Sequence, residues 1–168
     1  MLLHRLCHLK YTPLVKVGDW VQRGQLVGYC GTSGNSSGPH LHYDIFNQNN
    51  NWYVYTSGWS MAKVKSVFTN PGVYIKNKIP MDNTYPLLGY TFLQWVRNPG
   101  YYHPGIDCNG VNDLGKPVYS PVEGRVRFVA GTSWVKNLFK KLIPINWNHG
   151  FGNFVVIEEK PGFDIRTI

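Results

Sequence analysis

The chain has 168 residues and a formal net charge of +8 at pH 7, with 43% hydrophobic and only 15% charged residues. This length suffices for one domain with a real core and excludes two domains of ordinary size. The 18 glycines, 11 prolines and many aromatic residues are typical of an all-β protein with tight turns.

The excess of basic residues favours anionic partners, such as bacterial wall polymers, a membrane surface or nucleic acid. The sequence has no aromatic RNA-binding signature, no Cys₂His₂ spacing and no helix-turn-helix pattern, so we expect no specific nucleic-acid partner. No stretch approaches the ~20 apolar residues of a membrane span, and residues 1–6 lack the apolar region of a secretory signal. We therefore expect no membrane span and see no signal peptide.

The three cysteines, Cys7, Cys30 and Cys108, do not form a recognisable pattern. Their spacing fits neither a disulfide framework nor a Cys-x-x-Cys zinc site. We interpret them as small, partly buried apolar residues.

The first part of the chain, residues 5–45, predicts short strands separated by glycine turns. The Ser-, Gly- and Asn-rich loop 31–38 leads into the stretch that contains His40 and His42. Such a loop either forms part of a substrate groove or is a flexible hairpin connection, and the residues alone support both interpretations.

The segment His40-Leu41-His42 is a candidate functional site. Side chains alternate along an extended strand, so the two histidines are predicted to share one face while Leu41 enters the core. Because imidazole is the commonest protein ligand of zinc, this face is a candidate metal site.

Further along, Trp52, Tyr53 and Tyr55 form an aromatic run, which we interpret as packing on a sheet rather than stacking on a sugar. The alternation in residues 126–129 predicts a half-buried strand. Residues 134–142 carry Trp, Leu and Lys at helical spacing, which predicts a short basic amphipathic helix packed on the sheet.

Residues 17–45 closely resemble the C-terminal half of lysostaphin-type zinc endopeptidases. The other metal signature of that family, His-x-Gly-x-Asp, occurs at residues 103–107. This resemblance implies a mainly antiparallel, barrel-like or sandwich β-sheet, the duplicated hybrid motif, with one or two short helices.

The two signatures occur in the reverse of the family's order. We therefore interpret the chain as a circularly permuted single domain over residues 1–168. In this interpretation, residues 1–75 correspond to the family's C-terminal half, 76–83 to a linker between the usual termini, and 84–168 to the N-terminal half. The alternative is a piece of a tandem array, in which two chains would complete each site by swapping.

Matched residue by residue, the resemblance places His103, Asp107 and His42 at the zinc-ligand positions. It places His8 and His40 at two non-ligand catalytic positions, without deciding which is the base and which stabilises the oxyanion. For His4 and His149 we expect only a structural role.

The resemblance implies a zinc-dependent endopeptidase that acts at the bacterial cell wall and hydrolyses peptide bonds in peptidoglycan stem or cross-link peptides, using a zinc-activated water and two histidines. One alternative is a non-catalytic cell-wall-binding module. Another is a structural module of a larger assembly, such as a phage tail or virion.

Overall fold

The computed structural model describes residues 1–47, 51–54, 56–72, 74, 89–97, 100–136, 142–145 and 148–162. The prediction of a mainly antiparallel all-β protein is confirmed. The strands, numbered along the chain, are β1 (Leu3–Leu9), β2 (Trp20–Val21), β3 (Leu26–Tyr29), β4 (Leu41–Phe46), β5 (Phe68–Thr69), β6 (Trp95–Val96), β7 (Tyr101–Tyr102), β8 (Gly105–Cys108), β9 (Pro117–Tyr119), β10 (Gly124–Ala130), β11 (Ser133–Lys136), β12 (Leu142–Ile145) and β13 (Asn153–Glu159).

Seven strands form the main sheet, in the order β2-β10-β13-β1-β4-β5, and β8 also pairs with β4. The first four residues of β4 pair with β8, and its last two pair with β5. Within the described residues this sheet is open and does not close into a barrel. Strands β3 and β9 form a separate pair, as do β6 and β7.

The main sheet buries a different hydrophobic cluster on each face. Leu6, Tyr43 and Ile45 belong to one cluster, which also contains Val27 of β3 and Val118 of β9. The other cluster contains alternate residues of the same strands, including Leu3, Cys7, Phe46 and Val156. This alternation is the strand periodicity of 2, and it decides which side chains share a face.

One α-helix, α1 (Met61–Val67), covers the second cluster. Ser60 caps its N-terminus, because the Ser60 side chain accepts a hydrogen bond from the backbone N–H of Lys63. Val64 and Val67 are the buried residues of the helix. A 3-10 turn spans Asn148–Gly150.

The predicted amphipathic helix over residues 134–142 is wrong where the structure describes it. Ser133–Lys136 and Leu142–Ile145 are strands that pair with each other in antiparallel register. The spacing of a short apolar run does not by itself distinguish a helix from a strand. Here each of the two segments is a strand because it pairs with the other. The predicted linker, residues 76–83, lies outside the described residues.

Two smaller predictions concern side chains packed on the sheet. All three cysteines carry free thiols and are fully buried, more deeply than expected. Trp52 and Tyr53 pack against Phe128, as the packing interpretation requires, whereas Tyr55 lies outside the described residues.

No helix in the described part of the chain is long and apolar enough to cross a membrane.

Candidate functional site

The site begins with the pairing of β4 and β8, which places His42 directly opposite Asp107. The Nδ1 atom of His42 lies 2.8 Å from Oδ1 of Asp107. Gly105 permits this close approach, because a Cβ at that position would lie 2.3 Å from the carbonyl oxygen of Tyr43. The glycine of the His-x-Gly-x-Asp motif therefore has a steric role in bringing the two strands together.

His103 completes a triangle of donor atoms with these two residues. Its Nε2 atom lies 3.1 Å from Nδ1 of His42 and 3.2 Å from Oδ1 of Asp107. The three side chains are at most 9% exposed. They form a group whose ligand atoms lie close enough together to hold one metal ion.

The triangle fits a tetrahedrally coordinated zinc ion. Ligand bonds of about 2.0–2.1 Å place neighbouring donor atoms of such an ion about 3.3 Å apart. The observed separations of 2.8–3.2 Å are close to that value. Two imidazoles and one carboxylate are also a donor set that zinc accepts while keeping a fourth position open.

Both histidines of the triangle are oriented by their second ring nitrogen. Nδ1 of His103 donates to the carbonyl oxygen of Gly105 at 3.0 Å, and Nε2 of His42 lies 3.0 Å from Oδ2 of Asp44. Hydrogen bonds of this kind fix the tautomer and the ring plane of metal-binding histidines. In each ring they leave the other nitrogen for the centre of the triangle.

The triangle holds a proton that a metal cation would displace. Burial by itself lowers the pKa of His42, but hydrogen bonds to Asp107 and Asp44 outweigh it and raise that pKa to about 9. Burial by itself raises the pKa of Asp107, yet His103 and His42 hold it well below its usual range. Without metal, His42 is therefore protonated beside an ionised carboxylate, and a bound cation would take the place of that proton.

His40 and His42 share one side of the strand, as the alternation predicts. Leu41 is fully buried in the core, while Nε2 of His40 lies 3.8 Å from Oδ1 of Asp107. Nδ1 of His40 donates to the carbonyl oxygen of Gly38 at 2.9 Å, so Nε2 carries the lone pair of the neutral ring.

His8 joins the cluster through an irregularity in β1. Its φ of 62° lies in the left-handed region, and the register between β1 and β13 shifts between Leu6 and Leu9. The His8 ring lies 4.7 Å from the ring of His40, measured between centroids. Backbone strain of this kind is concentrated at functional sites.

The surroundings of His8 keep its ring neutral. Burial, reinforced by the charges of His40 and His42, lowers the pKa of His8 to about 3. Its Nδ1 atom donates to the carbonyl oxygen of Ser33 at 2.8 Å. His8 therefore presents a neutral ring whose Nε2 is the proton acceptor.

The loop 31–38 is attached to the site and is not merely a hairpin connection. The hydroxyl of Ser33 donates to the carbonyl oxygen of Leu9 at 2.7 Å and accepts from the backbone N–H of Asn153 at 2.8 Å. Ser36 also contacts Nδ1 of His40 at 3.2 Å. The loop thus supports both non-ligand histidines.

Replacing Gly34 by alanine is expected to destabilise the protein more than the same change at Gly58. Both glycines have nearly the same positive φ, +76° and +75°, so each substitution carries about 1–2 kcal/mol of backbone strain. At Gly34 the added Cβ would lie 2.3 Å from the backbone of Gly152, whereas Gly58 has nothing within 4 Å. We expect an additional loss of about 1–3 kcal/mol for the Gly34 variant in urea unfolding. Equal losses would contradict a close crossing of the two loops.

An open cleft of about 460 Å³ gives access to the cluster. The cleft is lined by His8, His40, His42, His103 and Asp107. Polar and aromatic residues from elsewhere in the chain also line it, among them Asn35, Ser36, Ser37, Tyr90, Gln94 and Tyr101. Its volume is within the range of about 300–1,000 Å³ that is usual for ligand-binding clefts.

Two residues of the site were not predicted from the sequence. Asp44 contacts His42, and Arg5 forms a buried ion pair with Asp44. A signal for Asp44 was present, because the alternation that places His40 and His42 on one face continues to residue 44. By contrast, His4 lies outside the cluster, where it contacts Tyr43 and Glu159.

A protein-family model matches the first third of the chain, and curated proteins match short stretches of it. Residues 1–54 match the model of peptidase family M23. Lysostaphin of Staphylococcus simulans is 55% identical over 29 residues, which is 17% of this chain and 6% of that protein. The glycyl-glycine endopeptidase ALE-1 of Staphylococcus capitis is 43% identical over 42 residues, 24% of this chain and 12% of that protein.

A third relative is the peptidoglycan DD-endopeptidase ShyA of Vibrio cholerae, 53% identical over 32 residues, 19% of this chain and 7% of that protein. The chain thus spans only a small fraction of the length of the curated relatives it matches, and no solved structure gives a significant match. Residues 1–54 are therefore similar to peptidase family M23, which confirms the resemblance of this part of the chain to the lysostaphin-type peptidases.

Proposed function

We propose that the protein is a zinc-dependent endopeptidase that cleaves peptide bonds in the stem or cross-link peptides of bacterial peptidoglycan. The observation that carries this proposal is the convergence of His42, His103 and Asp107, with ligand atoms 2.8–3.2 Å apart, in the lining of an open cleft. The family match and the names of the relatives support the substrate class.

In this mechanism His42, His103 and Asp107 would hold the ion where the cleft gives access to it. When bound, zinc supplies a Lewis acid that polarises the scissile carbonyl and lowers the pKa of a water molecule to about 7.

His8 and His40 handle the protons and the developing charge. Each ring donates its Nδ1 proton to a backbone carbonyl, so its Nε2 is the atom that exchanges protons with the substrate. One of them takes a proton from the attacking water and returns it to the leaving amine. The other would take a proton from solvent at Nε2 and donate a hydrogen bond from it to the oxyanion.

We also propose that one chain forms a single, circularly permuted domain. The family match lies at the start of the chain, whereas the His-x-Gly-x-Asp motif follows it at residues 103–107. Strand β1 pairs with both β13 and β4, and β4 pairs with β8, so residues from both halves line one cleft. This supports permutation over a swapped tandem array, in which a partner chain would supply half of the residues.

We place the site of action at the bacterial cell wall. The net charge of +8 favours retention on anionic wall polymers, in a manner that added salt should weaken.

The proposal predicts that purified peptidoglycan incubated with the protein releases fragments with new amine termini. A chelator is expected to suppress this release, and added zinc to restore it, because the triangle is the reaction centre. Mass analysis of the soluble fraction measures the products and identifies the bond that is cut. An intact wall in the presence of zinc, together with sedimentation of the protein with the wall, would instead support a non-catalytic wall-binding module.

A further inference from the structure

A buried ion pair lies directly behind the metal triangle. Arg5 of β1 and Asp44 of β4 face each other in the sheet register, and both side chains are 0% exposed. The guanidinium binds both carboxylate oxygens, with Nε 3.1 Å from Oδ1 and Nη2 2.5 Å from Oδ2. This two-point contact fixes the plane of the carboxylate.

Arg5 is itself held from several directions. Its Nη1 atom donates to the carbonyl oxygen of Trp52 at 2.8 Å, and its guanidinium lies 3.9 Å from the centre of the Phe151 ring. A side chain restrained in this way restrains its partner, so Asp44 has little freedom to turn away from His42.

Stability alone does not account for this pair. Transferring two charges from water to a protein interior carries a desolvation cost that often cancels their attraction, and apolar residues of similar volume are commonly as stable. Asp44 has a second contact that an apolar residue would lose, because its Oδ2 atom lies 3.0 Å from Nε2 of His42. The shared oxygen links Arg5, Asp44 and His42 in one chain of contacts.

We propose that Asp44, held by Arg5, is a positioning residue for His42. By accepting the Nε2 proton it orients the imidazole and keeps that proton on Nε2, which leaves the Nδ1 lone pair for a divalent cation. The inference rests on the proposed function, because it assumes that His42 is a metal ligand.

The test is the zinc affinity of the Asp44→Asn variant, measured by competition with a chromophoric chelator. An asparagine that turns its amide N–H₂ toward Nε2 would favour the tautomer in which Nδ1 carries the proton. We expect zinc binding to weaken by about 10–100-fold, the usual effect of removing such a partner. In the zinc-loaded protein, the slowly exchanging Nε2 proton of His42 should be visible by NMR in the native chain and lost in the variant.

Glu159→Gln is a matched control on the same sheet. Glu159 is a nearly buried carboxylate that contacts Nε2 of His4 at 3.2 Å and accepts from the Tyr74 hydroxyl at 3.0 Å. Its replacement removes the same kind of carboxylate–histidine contact away from the triangle. We expect it to lower the melting temperature without changing zinc affinity.

Asp44→Asn leaves the Arg5 charge buried without its carboxylate. A second variant is therefore needed in case this one does not fold. The double variant Arg5→Met, Asp44→Asn removes both charges, and we expect the same loss of zinc affinity. A folded variant that binds zinc as tightly as the native chain would overturn the positioning role and leave the proposed function intact. Failure of the native chain itself to bind zinc would overturn the proposed function.

Discussion

The His103→Ala variant is expected to lose zinc at least about 100-fold more readily than the native chain and to lose peptidoglycan hydrolysis with it. Loss of a partner that only orients a ligand weakens metal binding by about 10–100-fold, so loss of the ligand itself should cost more. The Nε2 atom of His103 forms two of the three short edges of the triangle, and only His42 and Asp107 remain without it. Zinc content after dialysis, measured by atomic spectroscopy, checks the first expectation, and fragment release checks the second.

His149→Ala is the control for this experiment. His149 is an exposed histidine that packs on Tyr53, outside the triangle. The control should therefore retain both zinc and activity. Full zinc content in the His103 variant, with a normal melting temperature, would show that the ion binds elsewhere.

The His40→Ala variant is expected to separate chemistry from metal binding. Nε2 of His40 lies 3.8 Å from Oδ1 of Asp107, and His40 is not a member of the metal-binding triangle. Proton transfer by a positioned side chain contributes about 10²–10⁴-fold to a rate, so we expect fragment release to slow by that factor. Zinc content should be unchanged.

A control close to His40 tests whether a disturbed loop would produce the same loss. The hydroxyl of Thr32 is exposed and bonds to Ser36, which in turn contacts His40. Thr32→Ala should leave the rate within a few-fold of the native value. Native rates in the His40 variant would remove this residue from the catalytic mechanism, and wall binding without hydrolysis in both proteins would favour a non-catalytic module.

Local patterns in the sequence predicted the parts of the site that lie on one strand. The alternation in residues 40–42 predicted two histidines on one face with a leucine in the core, and the structure has that arrangement. The turn-rich composition predicted an all-β fold and the family resemblance implied a mainly antiparallel sheet, and both are confirmed. The same local reasoning was wrong for residues 134–142, because a short apolar run is compatible with either a helix or a paired strand.

The sequence by itself determined which atoms are available for chemistry, since residue type and strand periodicity are local properties. Only the tertiary structure decided that they meet: the register of β4 against β8 places Asp107 opposite His42, and the positive φ at His8 brings that ring to the cluster. The buried Arg5–Asp44 pair likewise depends on the pairing of β1 with β4. Strand register is set by contacts between residues far apart in the chain, and a shift of one residue would send each of these side chains to the opposite face.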